Sequence, residues 1–299
     1  MYKILLFHGV TQYKKKGIKN YNNKHLYYDE FFKILKNIKN NYNFYSMDEL
    51  LYFIKYPKER PKNKFYIVSF DDGFKNNLKA CEILSDLNIK SIFYITSGLI
   101  NKKNLFWVDE IEKSIAETKL KKIEFKLINQ VYKNFDISNN YSKIKTINFI
   151  KKYCKNSNFL IKENIIDQLR RQIKVDKSLD EDYKVLNWKE LKSIANHNLF
   201  TVGGHSLYHD ILTSKNIKQT AIDIKKSIRL LEKNLKIKIQ HYSYPEGQAN
   251  HFNSSVIKVL KRNKILASPS AINGTNSFKT NLFKLKRIMV GFNNKFYKV

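Results

Sequence analysis

The chain has 299 residues, of which 42% are apolar, including 20 Phe and 19 Tyr, so it can bury a large core and is not disordered throughout. Its formal charge of +30 invites a polyanion as partner, but only six of its 56 basic residues are Arg, the side chain suited to bidentate phosphate contacts. We therefore expect no specific nucleic-acid partner, and at most a weak association with an anionic membrane surface.

Segments with strand and helix patterns alternate over the first hundred residues. Short apolar runs predict strands, and apolar residues three or four apart predict helices. The strands are predicted at 2–7, 65–70 and 91–96, and the helices at 28–38, from 48 behind a Ser46 N-cap, and at 77–87. Such alternation favours a parallel sheet or a barrel.

The stretch at about 110–185 differs from the rest, because it is rich in Lys and contains no Gly or Pro. We predict a mostly helical insertion there, within a single catalytic domain spanning residues 1–299. The alternation resumes beyond it. Helices are predicted at 188–195, 217–235 and 254–261, and strands at 200–202, 240–244 and 265–268.

Cysteine content and hydropathy bear on the compartment. Cys81 and Cys154 are too few for a disulfide framework and form no Cys-x-x-Cys pattern. Only four apolar residues, 4–7, precede His8, which is too short for a secretory signal, and no stretch approaches the roughly 20 apolar residues that span a bilayer. The sequence thus predicts a cytoplasmic protein, with peripheral membrane contact as a further expectation.

Two short segments carry most of the chemistry. Asp71 and Asp72 follow an apolar run, and His205 and His209 stand four residues apart. One carboxylate with two imidazoles is a ligand set suited to a catalytic divalent metal. The second carboxylate is then free to act as a general base, which makes metal-assisted hydrolysis the leading hypothesis.

The candidate residues share a position relative to the predicted strands. Each follows the carboxyl end of one strand, where the side chains of an α/β barrel meet on one face. The residues with this placement are His8, Asp71, Thr96, His205 and Pro245.

These segments resemble the polysaccharide deacetylase family, the NodB-homology carbohydrate esterases. Residues 69–73, Ser-Phe-Asp-Asp-Gly, look like its Thr-Phe-Asp-Asp-Gly motif, and residues 204–209 contain its His-Ser/Thr-x-x-His motif. Residues 242–247 are similar to its third motif in the form that ends Tyr-Pro-x-Gly. Residues 5–10 and 285–288 resemble the opening and closing segments of a bacterial subgroup.

The resemblance implies a fold and a set of roles. The fold would be a distorted (β/α)7 barrel, and the activity would be removal of an acetyl group from an N-acetylated sugar. Asp71 would be the general base, and a divalent metal, most often zinc in this family, would be held by Asp72, His205 and His209. The backbone N–H of Glu246, flanked by Pro245 and Gly247, would hold the oxyanion.

The sequence also departs from the family pattern. Ser243 stands where well-studied members carry an Arg that pairs with the base, and the late Leu-x-His motif that supplies the general acid has no counterpart. We assign the Arg role to Arg287 and the proton-donor role to His8. A buried strand-end histidine and a structural ion pair are the alternatives for these two residues.

Trp107 and Asp109 are candidates for the substrate groove, with a hydrophobic anchor and a helix N-cap as the alternatives. At the level of function, three rivals remain open. A related amidohydrolase could act on another acyl group or a non-sugar amide, a degenerate homologue could bind glycan without turnover, and a basic nucleic-acid-binding protein would bind no metal.

Overall fold

The computed structural model describes residues 1–13, 17–102, 104–174 and 180–292. The strands, in chain order, are β1 (Tyr2–Phe7), β2 (Gly9–Thr11), β3 (His25–Tyr27), β4 (Asn43–Phe44), β5 (Phe65–Phe70), β6 (Ser91–Ile95), β7 (Lys122–Lys126), β8 (Tyr132–Asp136), β9 (Phe200–Gly204) and β10 (Ile288–Met289). The α-helices are α1 (Tyr28–Lys39), α2 (Met47–Lys55), α3 (Asn77–Asp86), α4 (Trp107–Glu117), α5 (Asn140–Lys155), α6 (Phe159–Gln172), α7 (Trp188–Ala195), α8 (Ile217–Leu235) and α9 (Ser254–Arg262).

The central sheet is parallel, with strand order β10-β1-β5-β6-β9. β1 and β5 pair along their full length, from Tyr2 opposite Phe65 to Phe7 opposite Phe70. β4 pairs with the first residues of β5, and β6 pairs with its last three residues. This register brings the ends of β1 and β5 to the same level, so the residues that follow them become neighbours.

Beyond β9, parallel pairing continues through single residue pairs. These are Gly204 with Tyr242, His241 with Ala267, and Pro269 with Leu285. The segment that begins at Leu285 runs into β10, which pairs with β1. Within the described residues, seven parallel segments therefore close a ring, and the predicted distorted (β/α)7 barrel is confirmed.

Two predicted strands are wrong in detail. Residues 240–244 and 265–268 form only the isolated pairs just described, and no continuous ladder. Tyr242 donates its N–H to Ala267 on one side, whereas Ser243 donates to Gly204 on the other. Pro245 has no N–H with which to extend the pairing. The segment thus touches both neighbours but is too short to form a ladder with either.

Alternation along the strands separates two apolar layers. Leu5, Phe7, Val68 and Phe70 face the helices that surround the sheet. The alternate residues face the barrel interior, where α2 covers them from one end. This interior cluster includes Ile4, Ile67, Ile92, Tyr94, Met47 and Leu50. Asp71 continues the inward series of Ile67 and Ser69, so its carboxylate emerges at the open end of the barrel.

The region at 110–185 contains an antiparallel hairpin, β7–β8, besides the helices α4, α5 and α6. In β7, Ile123 and Phe125 are buried while their neighbours are exposed, which is the pattern of a strand packed on one face. They join Phe135 and the helices in a separate apolar cluster. Part of the predicted insertion, 175–179, lies outside the described residues. In the described part of the chain, no helix is long and apolar enough to cross a membrane.

Candidate metal centre and cleft

The two adjacent carboxylates sit on a tight turn at the end of β5. Asp71 donates its N–H to the carbonyl of Phe7, which ties this residue to β1. Gly73 donates its N–H to the carbonyl of Asp71 at 3.1 Å, and Asp72 between them has φ +80°. A γ-turn with a positive central φ is rare and strained. Because of this turn, the carboxylates of Asp71 and Asp72 point in different directions.

The two histidines lie on a loop after β9, not on a helix. Ser206 and His209 both have positive φ, +64° and +59°, so the chain folds back on itself between the two imidazoles. Their ring centroids lie 5.0 Å apart. Hydrogen bonds fix the loop: Ser206 Oγ accepts the N–H of His209, and Asp223 of α8 accepts the N–H of Leu207.

Asp72 and the two histidines converge on one point. Asp72 Oδ1 lies 3.4 Å from His205 Nε2 and 3.2 Å from His209 Nε2. One potential ligand atom from each residue lies within 4.8 Å of the others, and all three residues are buried. Asp72 Oδ1 makes no hydrogen bond of acceptable geometry. A buried carboxylate oxygen left facing two ring nitrogens fits a divalent cation, and two N and one O donors suit zinc.

Asp71 is held by other groups. Arg287 donates from both terminal nitrogens, at 2.8 Å to Oδ1 and 2.7 Å to Oδ2. Ser243 Oγ donates to Oδ1 at 3.1 Å. Burial would raise the pKa of the Asp71 carboxyl, but the Arg287 guanidinium outweighs burial and holds this pKa below its ordinary value. Asp71 is therefore a carboxylate beside the metal centre.

His205 is subject to opposing electrostatic effects. Burial lowers the pKa of its imidazole, but the Asp71 charge and the contacts with Asp72 outweigh burial and raise this pKa above its ordinary value. Without a cation, a proton on His205 would offset these carboxylates. Metal binding must displace any such proton from Nε2, because a metal ligand needs that lone pair.

His8 follows β1 and lines the same cleft. Its ring meets Phe292 edge-on with centroids 5.0 Å apart, and its buried Nδ1 has no hydrogen-bond partner. Burial lowers the pKa of His8 to about 4, despite the opposing effect of the Asp72 and Asp71 charges. The ring is therefore neutral near pH 7.

The third motif forms a second strained turn. Gly247 donates its N–H to the carbonyl of Pro245 at 2.7 Å, and Glu246 between them has φ +60°. Lys155, the last residue of α5, forms an ion pair of 2.6 Å with the Glu246 carboxylate. The helix from the 110–185 region thus fastens the side chain of the residue whose N–H is the candidate oxyanion donor.

A cleft of about 630 Å³ opens above these groups. Asp71, Asp72, His205 and His209 line its floor, and α5 forms part of one wall. The remaining lining includes amide side chains and a tyrosine hydroxyl, which suit sugar hydroxyls, and also four lysines. The amide and hydroxyl residues are Tyr21, Asn22, Asn148, Asn156, Gln248 and Asn250, and the lysines are Lys24, Lys151, Lys152 and Lys155.

Trp107 does not line the cleft. It is buried behind the metal centre, where its indole N–H donates to the carbonyl of His209 at 3.2 Å. The expectation that it contacts substrate is corrected accordingly, and the anchor alternative fits its position. Asp109 lines the cleft and pairs with the buried Lys24. It is not the N-cap of α4, since Phe106 occupies that position.

Two residues gained importance only with the structure. Ser243 contacts both Asp71 and His205. Its place in the third motif, where members of the resembled family carry Arg, was a sequence signal that this position lies at the site. Lys155 had no comparable signal, because it is one of many lysines in a Lys-rich helix.

The chain has similarity to a known protein family and to solved structures. The family described as "Polysaccharide deacetylase" matches residues 127–267, a range that includes both histidines and the third motif but not Asp71 or Asp72. Residues 127–267, a little under half of the chain, are thus similar to a polysaccharide deacetylase domain. No curated protein matches the chain.

Solved bacterial structures match nearly the whole chain. The deacetylase PplD of Streptococcus pyogenes, in complex with acetate, shares 16% identity at a TM-score of 0.62, covering 97% of this chain and 92% of that chain. IcaB from Ammonifex degensii shares 13% identity at a TM-score of 0.61, covering 97% and 91%. A de-N-acetylase from Aggregatibacter actinomycetemcomitans shares 14% identity at a TM-score of 0.59, covering 99% and 97%. At such identities, these matches establish the fold alone.

Proposed function

We propose that this protein is a zinc-dependent hydrolase that removes the N-acetyl group from an N-acetylated sugar in a glycan or glycan precursor. The observation that carries the proposal is the convergence of Asp72, His205 and His209 beside a separate carboxylate, Asp71. Ligands and base are thus different residues within one cleft, as hydrolysis assisted by a metal requires.

The roles of the chain's own residues follow from their positions. Asp72, His205 and His209 would hold the zinc ion, which when bound supplies Lewis-acid polarisation of the amide carbonyl and acidifies water. Asp71 accepts the proton of the attacking water, since Arg287 keeps it ionised. The N–H of Glu246 donates to the oxyanion that forms at the former carbonyl.

Cleavage of the C–N bond then requires a proton for the leaving amine. His8 is the candidate donor, because it lines the cleft and its buried Nδ1 has no other partner. Its ring is neutral at rest, so it has to take up a proton during the cycle before it can donate one.

Zinc content and acetate release together test the proposal. We expect wild-type protein to bind ~1 equivalent of zinc and to release acetate from N-acetylated glucosamine oligomers. Asp72→Ala should lose both properties. Asp71→Asn should keep the zinc, because its three ligands remain, but lose about 10²–10⁴-fold in turnover, because the base is removed. This substitution also takes the counter-charge from the buried Arg287, so both properties are measured at a temperature at which circular dichroism shows the variant to be folded.

The same experiment separates the rivals. Zinc binding without acetate release from any N-acetylated sugar would contradict the proposed substrate and favour another acyl group or a glycan-binding homologue. Equal zinc content in wild type and Asp72→Ala would contradict the metal site itself.

A further inference from the structure

A single hydroxyl, that of Ser243, lies between the general base and a metal ligand. Ser243 Oγ is 3.1 Å from Asp71 Oδ1 and 2.6 Å from His205 Nδ1. The backbone carbonyl of Ser243 also approaches His205 Nδ1, at 3.0 Å. All three residues are buried. Ser243 stands where the resembled family carries an Arg in its third motif. Its side chain therefore contacts both the proposed base, Asp71, and a proposed metal ligand, His205.

The protons in this cluster can be assigned by counting donors and acceptors. The carbonyl of Ser243 can only accept, so the His205 Nδ1 that faces it must carry a proton. Asp71, ionised by its pairing with Arg287, can also only accept, so the one hydroxyl proton of Ser243 goes to Asp71. Ser243 Oγ then has a lone pair free to accept from His205 Nδ1–H.

In this arrangement the proton of a neutral His205 ring lies on Nδ1, and Nε2, the nitrogen that faces Asp72, carries none. With Nδ1 protonated, a neutral His205 ring presents the Nε2 lone pair toward Asp72 Oδ1, 3.4 Å away. Groups that orient a ligating histidine through its other nitrogen raise metal affinity. Arg287 holds Asp71 from one side, and Ser243 links Asp71 to His205 on the other.

We propose that Ser243 is a positioning residue that couples Asp71 to His205, fixing the protonation and orientation of this imidazole for metal binding. This inference rests on the proposed metal site. It divides the task of the missing motif Arg between two residues: Arg287 pairs with the base, and Ser243 orients the ligand.

Zinc affinity of purified variants, measured by chelator competition, tests this coupling. Ser243→Ala should weaken zinc binding about 10–100-fold with an unchanged fold, because the carbonyl alone remains as acceptor for Nδ1–H. Ser91→Ala is the matched control: Ser91 is equally buried, lies at the start of β6, and its hydroxyl has no hydrogen-bond partner. Its zinc affinity should equal that of wild type. Ser243→Ala affinity within twofold of wild type would overturn the proposal.

A second measurement, on wild-type protein freed of metal, does not depend on the variant folding. Nitrogen-15 NMR of the neutral His205 ring should show the tautomer that carries its proton on Nδ1. A neutral ring with a bare Nδ1 overturns the proposal. Wild type that binds no zinc contradicts the proposed function instead, and a bare Nδ1 would overturn the role of Ser243 even then.

Discussion

The pairing of Asp71 with Arg287 is a buried ion pair, in which Arg287 has 0% exposure and Asp71 reaches the cleft with 4%. Arg287 also donates from Nε to the carbonyl of Ser270 at 2.6 Å, so the guanidinium is held from both ends. A bidentate pair of this kind is strong only while both partners are present. Losing one partner leaves a buried charge with no counter-charge.

Replacing Arg287 by Met should therefore destabilise the protein strongly. We expect a loss of about 3–5 kcal/mol in the free energy of unfolding, measured by urea denaturation, because Asp71 becomes a lone buried carboxylate. Adding Asp71→Asn to Arg287→Met should restore part of the loss. The surface variant Arg262→Met should change stability by no more than about 0.5 kcal/mol. A similar small change in Arg287→Met would show that the pair is not stabilising.

The proton-donor role of His8 gives a separate kinetic expectation. His8→Ala should lower turnover of an acetylated sugar by about 10²–10⁴-fold while zinc content stays at the wild-type level. His197, which stacks on Phe200 at a ring distance of 4.3 Å and does not line the cleft, offers the control substitution His197→Ala. Turnover equal to wild type in His8→Ala would exclude the donor role.

At this scale, the sequence predicted which side chains would lie close together better than it predicted their individual contacts. Asp72 and His205 could be found because each follows a buried strand, and parallel strand ends meet at one face. The contact of Ser243 with two partners depends on a ring closed by single residue pairs, and no local pattern encodes such distances.

The helices of the 110–185 region are joined by buried charge as well as by apolar packing. Glu112 of α4 is almost fully buried and pairs with Lys151 of α5 at 2.7 Å. Burial would raise the pKa of the Glu112 carboxyl, but the charges of Lys151 and Lys24 outweigh burial and hold this pKa below its ordinary value of 4.5. A carboxyl with a lowered folded-state pKa stabilises the fold above its unfolded pKa and loses that contribution as the pH falls.

Acid titration of stability should reveal this contribution. The wild-type free energy of unfolding should decline as the pH falls below about 4.5, because the unfolded state then binds a proton at Glu112 while the folded state, with its lowered pKa, still does not. Glu112→Gln should be less stable at neutral pH and should decline less on acidification. The exposed Glu59 provides the control, since Glu59→Gln should reproduce the wild-type profile. An unchanged acid limb in Glu112→Gln would contradict this account.

Elements with strong periodicity were predicted well. The bounds of β1, β5 and α8 are those expected from their apolar patterns. The hairpin β7–β8 was missed, because Ile123 and Phe125 are short apolar signals within a Lys-rich stretch that carries no Gly or Pro to mark a turn. Residues 240–244 have the composition of a strand, but each of the two segments beside them in the barrel forms only a single β-bridge with them.

Across the whole molecule, polar contacts join α4 and α5 to the barrel at the cleft. Trp107 donates to His209, and Lys155 pairs with Glu246. Asp109 pairs with Lys24 in a nearly dry environment. Because these contacts hold the metal loop and the third motif, we expect the region and the barrel to unfold together.

The two tryptophans allow this expectation to be measured. Trp107 packs in the cluster of the 110–185 region, whereas Trp188 packs against the main cluster of the barrel. Fluorescence of Trp107→Phe reports only Trp188, and fluorescence of Trp188→Phe reports only Trp107. Each urea transition should coincide with the transition that far-UV circular dichroism shows for the same variant. A Trp107 transition at lower urea than the overall loss of structure would show that the region unfolds by itself.

The partnership of Asp71 with Arg287 also bears on biosynthesis. These residues lie 216 positions apart, so the nascent polypeptide presents the carboxylate to its surroundings long before the ribosome has made the guanidinium. During that interval Asp71 has no counter-charge from the final barrel segment. Translation must pass residue 287, and the barrel must close, before the Asp71 carboxylate can pair with Arg287. A product of premature termination upstream of that point would therefore lack a competent centre, whatever else of it had folded.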